Sequence, residues 1–525
     1  MPHLSRRTAL ATIAVGAVGV VAGAAVSIPL FAARSPILTR PVPRDTPAPS
    51  GPAQPPRPRP VRTGSNPVAA ENRRPGSAGW RIGDAGTRPA DDVRMQITGY
   101  ASRPSVPVGE SIDFHVTAIP NADFTIAVYR LGHYRGAGAR QLTTSPTLRG
   151  RRQAAPTLDQ ATGMISCGWD PVWTLDIPQD WVSGAYLAVF TSDSGWRSVT
   201  PFVVRDDNRH SDLCVVLPFS TYQAYNQWPA DDSLGRSLYY GYDPRDRASG
   251  RLSSKHRAVK VSFDRPYANG GLPNRFDRDH DFIRWVEESG YDVTYATSTD
   301  LHTGAVDPSK FAGLIFCGHD EYWSHSMRAA AEKAVAHGTG LAFMSANNLY
   351  WQVRFEPSAG GRDNRVMVCY KFDPDPWPDT GARTVRWRDI HKLSAEQGLL
   401  GVQYNGIIAR PEPLVVRAAD HWFWAGSGVR DGDRIGRIVA GEADGLDPRA
   451  PRPSGVTQTL LSATPYRTRY DTKQIQNTSV YETPQGGLVF VAATLDWARG
   501  LSRPGHRDDR IRTATANLVR RMLEW

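Results

Sequence analysis

Hydrophobic and polar positions follow two rhythms along this chain. In the first, Ile112, Phe114, Val116 and Ala118 alternate with polar residues, residues 124–129 do so less regularly, and Trp173, Leu175 and Ile177 repeat the pattern ahead of the apolar run 186–190. Period-two alternation marks strands with one face in a core. Gly, Pro, Asn and Asp clusters separate these runs at short intervals. Residues 91–206 therefore predict an all-β sandwich of immunoglobulin-like size. From Asp212 the rhythm changes. Leu213–Leu217, residues 314–317 and residues 340–344 are short, continuous apolar runs, and residues 291–295 are a further strand-like run. Helical patterns at 281–289 and 324–338 fall between them. Buried strands separated by helices predict a parallel, doubly wound α/β sheet with right-handed crossovers over residues 207–525. Further β-like runs at 436–440 and 487–493 and a closing helix at 510–523 complete that region, and no internal repeat is present.

Composition changes this picture mainly at the N-terminus. The 525 residues leave room for two or three domains. The net charge of +10 comes mostly from Arg, without a basic stripe interleaved with aromatics, which argues against a nucleic-acid partner. Arg6 and Arg7 precede an apolar stretch reaching about Ala33. Residues 1–34 read as a twin-arginine export signal or an uncleaved membrane anchor, with Ala9 where the motif usually has Phe. Export, with the protein secreted or held at the cell envelope, is the expectation. Residues 35–90 are Pro- and Arg-rich and read as an extended spacer. The four cysteines, Cys167, Cys214, Cys317 and Cys369, have no zinc-type spacing and read as buried free thiols.

The chemistry gathers where the predicted strands end. After Leu213–Leu217 come Tyr222 and Tyr225, then Tyr239 and Tyr240; after 314–317 come His319, Asp320 and Glu321; after 340–344 come Asn347 and Asn348. Open α/β sheets bind ligands at the carboxyl ends of their strands. A single His-Asp-Glu turn reads equally well as a helix cap with solvated charges, and a single Tyr more readily as pocket-wall packing. Together they describe an oxygen-rich polar site, suited to a hard cation rather than to zinc.

The segments TYQAYNQW, SLYYG, KVSFDRPY, CGHDEYWS, SANNLYWQVRFE and VCYK, with VYRLGHYRGAGAR in the predicted sandwich, resemble in content and order the N,N-dimethylformamidase large-subunit family. The resemblance runs from about residue 99 to the C-terminus. It implies a mononuclear Fe(III) held by two tyrosinates and a glutamate. Carried onto this chain these are Tyr225, Tyr239 and Glu321, with Tyr222 and Tyr240 as competing choices within their motifs. It further implies that His319 and Asn347 orient water or substrate, and that Glu442 is a second acid. The implied reaction is hydrolysis of a small or N-substituted amide, with a Lewis acid activating water. The expected partners are that amide, the cell envelope through the N-terminal segment, and further copies of the chain.

Two other readings compete. Cys317 lies two residues before His319, and the sheet resembles glutamine amidotransferase architecture, so a cysteine-type amidohydrolase is conceivable. A nucleophile elbow, however, needs small residues on both sides, and Phe316 precedes Cys317. Alternatively, the protein is a non-enzymatic cell-surface carbohydrate-binding protein, which would carry no metal.

Overall fold

The computed structural model describes residues 66–524 apart from 84–85, 244 and 246–249. The export signal or anchor of residues 1–34 lies outside the described residues. The stretch 35–90, expected as an extended spacer, contains a helix among its described residues. Helix α1 (Pro67–Asn72) has Asn66 as its N-cap and buries Val68, Glu71 and Asn72. Glu71 meets Arg140 at 2.6 Å, and Asn72 Oδ1 accepts from the His133 backbone N–H at 2.8 Å. A Pro- and Arg-rich composition describes the stretch as a whole but misses these three inward-facing residues.

The alternating region forms two sheets. Strands β1 (Thr98–Ala101), β2 (Ser111–Thr117), β3 (Asp123–Leu131), β4 (Ala139–Thr144), β5 (Trp173–Asp176), β6 (Gly184–Ser192) and β7 (Trp196–Arg205) follow in order. The main strands run β7-β6-β3-β4 in one sheet and β5-β2-β1 in the other, antiparallel throughout, and two short segments, Arg88–Pro89 and Ser105–Pro107, add to β7 in parallel. Ile112, Phe114 and Val116 of β2 share a core with Ile126, Tyr186, Phe190 and Phe202 of the first sheet. Strand β6 is buried along almost its whole length. Tyr186, Ala188 and Phe190 face the core between the sheets, while Ala185, Leu187 and Val189 join a second core outside it.

That second core belongs to the α/β region. Its elements are β8 (Leu213–Leu217), α2 (Phe219–Tyr225), α3 (Phe276–Glu288), β9 (Val293–Thr297), β10 (Gly313–Phe316), α4 (His325–Ala336), β11 (Gly340–Phe343), β12 (Thr457–Leu460), β13 (Ser479–Glu482), β14 (Leu488–Val491) and α5 (Asp509–Glu524). The sheet runs β9-β8-β10-β11-β14-β13-β12, parallel through its first five strands and antiparallel beyond them. Helices cover both faces. Leu213, Val215 and Ile315 pack with Phe282 and Val286 of α3 and Leu518 and Met522 of α5. Val216, Leu314 and Phe343 pack with Met327 and Ala331 of α4 on the other face. A Cβ at Gly313 would come within 2.0 Å of the Met522 side chain, so that glycine sets how closely α5 lies on the sheet. The whole is a mixed α/β structure, rich in sheets and poor in helix.

A buried ion pair joins the two regions. Arg130 of β3 grips Glu287 of α3 through two bonds, at 2.9 and 2.8 Å, and neither side chain reaches solvent. Tyr295 and Asn72 also donate to Glu287, at 2.7 and 2.6 Å. Bidentate geometry and additional donors are what a buried pair needs to repay its desolvation.

Cys317 sits directly after β10, inside the core. Its Sγ faces the Val216 carbonyl at 3.5 Å, and burial pushes the thiol well above its ordinary range. Nucleophilic cysteines require the opposite shift. All four cysteines are buried free thiols.

Glu287→Ala strands the Arg130 guanidinium in the core and should lower stability by about 3–5 kcal/mol in denaturant melts, with Arg130→Met recovering part of that loss in the double variant. Cys317→Ala should cost about 1–2 kcal/mol of stability, which thermal melts will check.

Candidate functional site

Strands β8 and β10 are neighbours, and β9 lies on the far side of β8. The connections leaving β8 and β10 therefore part in opposite directions and open a crevice at their carboxyl ends, the position where such sheets bind ligands. Helix α2 begins immediately after β8 and ends on Tyr225. The Leu238 N–H donates to the Ala224 carbonyl at 3.0 Å, hanging the next loop on the end of α2. That connection stacks the Tyr239 ring on the Tyr225 ring, with centroids 4.5 Å apart. After β10 the chain turns through Gly318, where a Cβ would lie 2.0 Å from the Asp279 carboxylate. The turn is tied to α2 by Thr221 Oγ1, which accepts from the Glu321 N–H at 3.0 Å. Ser324 then caps α4, its Oγ accepting from the Met327 N–H at 3.3 Å.

Glu321 is the hub of the site. Its buried carboxylate accepts from Tyr225 Oη at 2.7 Å, Tyr239 Oη at 2.6 Å and Trp351 Nε1 at 3.0 Å. The two phenol oxygens are 3.0 Å apart. Burial alone would raise the Glu321 carboxyl, but the bond and charge of His319 and the charge of Lys371 offset it and hold the group below its ordinary range. Burial, followed by the Glu321 charge, pushes both phenols well up. The competing tyrosines point elsewhere: Tyr222 donates to Asp279 Oδ2, and Tyr240 is 46% exposed.

His319 Nδ1 faces the Ala346 carbonyl at 3.0 Å, which turns Nε2 toward the cluster. Nε2 lies 3.2 Å from Glu321 Oε2, 3.4 Å from Tyr225 Oη and 3.7 Å from Glu442 Oε2. Asn347 stands at φ 54 after β11, with its N–H donating to Asp444 Oδ1 at 2.7 Å and its Nδ2 donating to Glu442 Oε2 at 2.9 Å. Its Oδ1 is buried without a hydrogen-bond partner. All six residues singled out from sequence, Tyr225, Tyr239, Glu321, His319, Asn347 and Glu442, thus meet in one connected cluster.

Four further side chains belong to it. Lys371 sits at φ 61 and places a buried Nζ, without a hydrogen-bond partner, 3.3 Å over the Tyr239 ring; burial pulls its pKa down to about 8. Trp351 holds Glu321 directly. Arg275, the left-handed residue at the start of α3, lies over the Tyr225 ring at 5.8 Å and reaches Glu442 at 3.9 Å. Asp444 holds the Asn347 backbone, and burial raises its carboxyl to about 8. Lys371 and Trp351 lie inside the segments VCYK and SANNLYWQVRFE, so both were within reach of the sequence; Arg275 carried no such signal.

The donor set bears on metal binding. Among the described residues no group of three or more His, Cys, Asp and Glu side chains is spaced to hold a metal. The tyrosines change that. Two phenol oxygens and a carboxylate, 2.6–3.0 Å from one another, have the spacing of neighbouring ligands around one small cation. They are hard donors, and a cation among them reverses the preference for protonated phenols. The trio fits a small, hard cation.

A family model described as N,N-dimethylformamidase beta subunit-like, C-terminal, matches residues 125–510. The N,N-dimethylformamidase beta subunit of Paracoccus aminophilus is 23% identical over 337 residues, which is 56% of this chain and 43% of that protein. The chain thus spans less than half the length of this curated relative. Among solved structures, a superoxide reductase (neelaredoxin) of Ignicoccus hospitalis covers 22% of this chain and 88% of its own, at 12% identity and a TM-score of 0.13. A Paenibacillus sp. cycloisomaltooligosaccharide glucanotransferase covers 51% of this chain and 57% of its own, at 10% identity and a TM-score of 0.17. Scores so low carry no argument about fold or function. The family match, which takes in most of the two-sheet region and nearly all of the α/β region, is decisive: the chain belongs to the N,N-dimethylformamidase beta subunit-like family.

Proposed function

We propose that this protein is an exported amidohydrolase that cleaves a small or N-substituted amide at a mononuclear ferric centre held by Tyr225, Tyr239 and Glu321. The observation that carries this reading is the convergence of those three oxygen donors with His319, Asn347 and Glu442 at the sheet's switch point. Family membership supports the amide as substrate class. In this reading the two-sheet region, residues 91–206, is an immunoglobulin-like sandwich, and residues 207–525 are a glutamine amidotransferase-like domain. Export rests on the residue 1–34 sequence; among the described residues no helix is long and apolar enough to cross a membrane.

Fe(III) in this trio supplies Lewis-acid polarisation of the amide carbonyl and a lowered pKa for water. The protein's own groups do the rest. His319, oriented by the Ala346 carbonyl, in its neutral form presents Nε2 as the base that takes a proton from water as its oxygen attacks the carbonyl carbon. Glu442, 3.7 Å from Nε2, stabilises the imidazolium that results. Asn347 has one amide hydrogen on Glu442 and a second for the developing oxyanion. His319 then returns its proton to the amide nitrogen as the C–N bond breaks, leaving a carboxylic acid and an amine. Arg275 over the Tyr225 ring sets a cation beside that phenol and partly offsets the burial and the Glu321 charge that keep it protonated.

Iron stoichiometry measured beside amide turnover in three variants tests this reading. Glu321→Ala should lose iron and activity together. Asn347→Ala should keep iron and slow the chemical step by roughly 10²–10³-fold. His319→Ala should bind iron about 10–100-fold more weakly and lose most of its turnover. Full iron in Glu321→Ala combined with its loss from His319→Ala would overturn the ligand assignment.

A further inference from the structure

Beside the buried cluster the surface carries unusually exposed aromatic rings. Phe372 is 72% exposed, and its ring meets the Trp351 indole edge-on at 5.3 Å. The same indole donates to Glu321 Oε1 at 3.0 Å, so a single ring separates the solvent-facing Phe372 from the central carboxylate. The backbone explains the arrangement. Lys371 at φ 61 sends its own side chain inward onto Tyr239 and leaves the next side chain, Phe372, facing out. Tyr350 also meets Trp351 edge-on, at 5.0 Å, and continues to Tyr404 at 5.2 Å. Burial, then the charges of Glu442 and Glu321, push the Tyr404 phenol up, which marks this ring as a neighbour of the same site. Tyr240, also exposed, lies 6.4 Å from the Tyr239 ring.

Isolated exposed apolar residues are ordinary on protein surfaces. These rings differ because edge contacts link the exposed Phe372 through Trp351 to Glu321 and through Tyr350 to Tyr404. Aromatic edges and faces bind flat apolar groups through offset and edge-to-face contacts. A one-carbon substituent offers such rings little surface, whereas an aryl substituent matches them in shape and chemistry.

Resting on the amide-hydrolysis reading, we infer that the Phe372–Trp351–Tyr350–Tyr404 rim is a substrate subsite, and that the amide this protein takes carries an aryl substituent. Phe372 is then a specificity residue of the site.

Calorimetric titration of the iron-loaded full chain with formanilide and with N-methylformamide tests the inference without requiring turnover. Wild type should bind formanilide about tenfold more tightly than N-methylformamide. Phe372→Ala should cut that preference to about threefold or less, and Phe372→Tyr should restore it. Because Phe372 is largely exposed, neither change threatens folding. Equal affinity of wild type for the two amides, or a preference untouched by Phe372→Ala, overturns the subsite. Turnover, measured separately, distinguishes the two claims. Hydrolysis of N-methylformamide without any aryl preference leaves the amidase reading standing and the subsite refuted. A Phe372-dependent preference without hydrolysis of either amide supports the subsite and refutes the amidase reading.

Discussion

The site depends on a single buried carboxylate. An isolated ionised carboxylate cannot be taken out of water cheaply, so Glu321 holds its place only because donors and cations surround it. Those partners come from well-separated segments: Tyr225 at the end of α2, Tyr239 from the following loop, His319 from the same turn, Trp351 beyond β11, and Lys371 later still. Satisfying one charge therefore fixes the mutual positions of five side chains. The same arrangement makes the phenols poor acids until a cation joins them, because burial and the Glu321 charge act together against ionisation. In the proposed reading, the residue that organises the cluster is also a metal ligand.

A second buried charge holds the frame around the first. Arg130 on the two-sheet region and Glu287 near the end of α3 form a fully enclosed pair, into which α1 also reaches through Asn72. The other end of α3 starts at Arg275, which lies over Tyr225 and beside Glu442. Helix α3 is thus held at one end by the two-sheet region and delivers a guanidinium to the site from the other. This gives the two-sheet region a mechanical part in the site although it contributes no side chain to the cluster.

Much of this was legible in the chain. The strand Leu213–Leu217 has the bounds expected from its apolar run, and α4 lies within the helical pattern at 324–338. The uninterrupted run at 186–190 carried a signal that alternation alone did not explain: β6 is apolar on successive residues because it packs against two cores. The site was readable because its residues cluster at strand ends, where chemistry and position coincide. Choosing between Tyr222 and Tyr225 was not possible from sequence, since both lie on one short helix and only packing shows which turns to Asp279 and which to Glu321. Arg275 was invisible for a different reason: its place depends on a left-handed backbone at the start of α3 and on how that helix is held, both products of tertiary structure. Helix α1 was hidden by the Pro-rich composition surrounding it.

The most direct test of the central claim is the visible absorption spectrum of the iron-loaded protein in single Tyr→Phe variants. Tyrosinate bound to Fe(III) gives a charge-transfer band. The geometry predicts that Tyr225→Phe and Tyr239→Phe each weaken and shift this band, while Tyr222→Phe, whose hydroxyl serves Asp279, and Tyr240→Phe, whose ring faces solvent, leave it unchanged. A band that survives both Tyr225→Phe and Tyr239→Phe, or one abolished by Tyr222→Phe, would contradict the Tyr225–Tyr239–Glu321 centre.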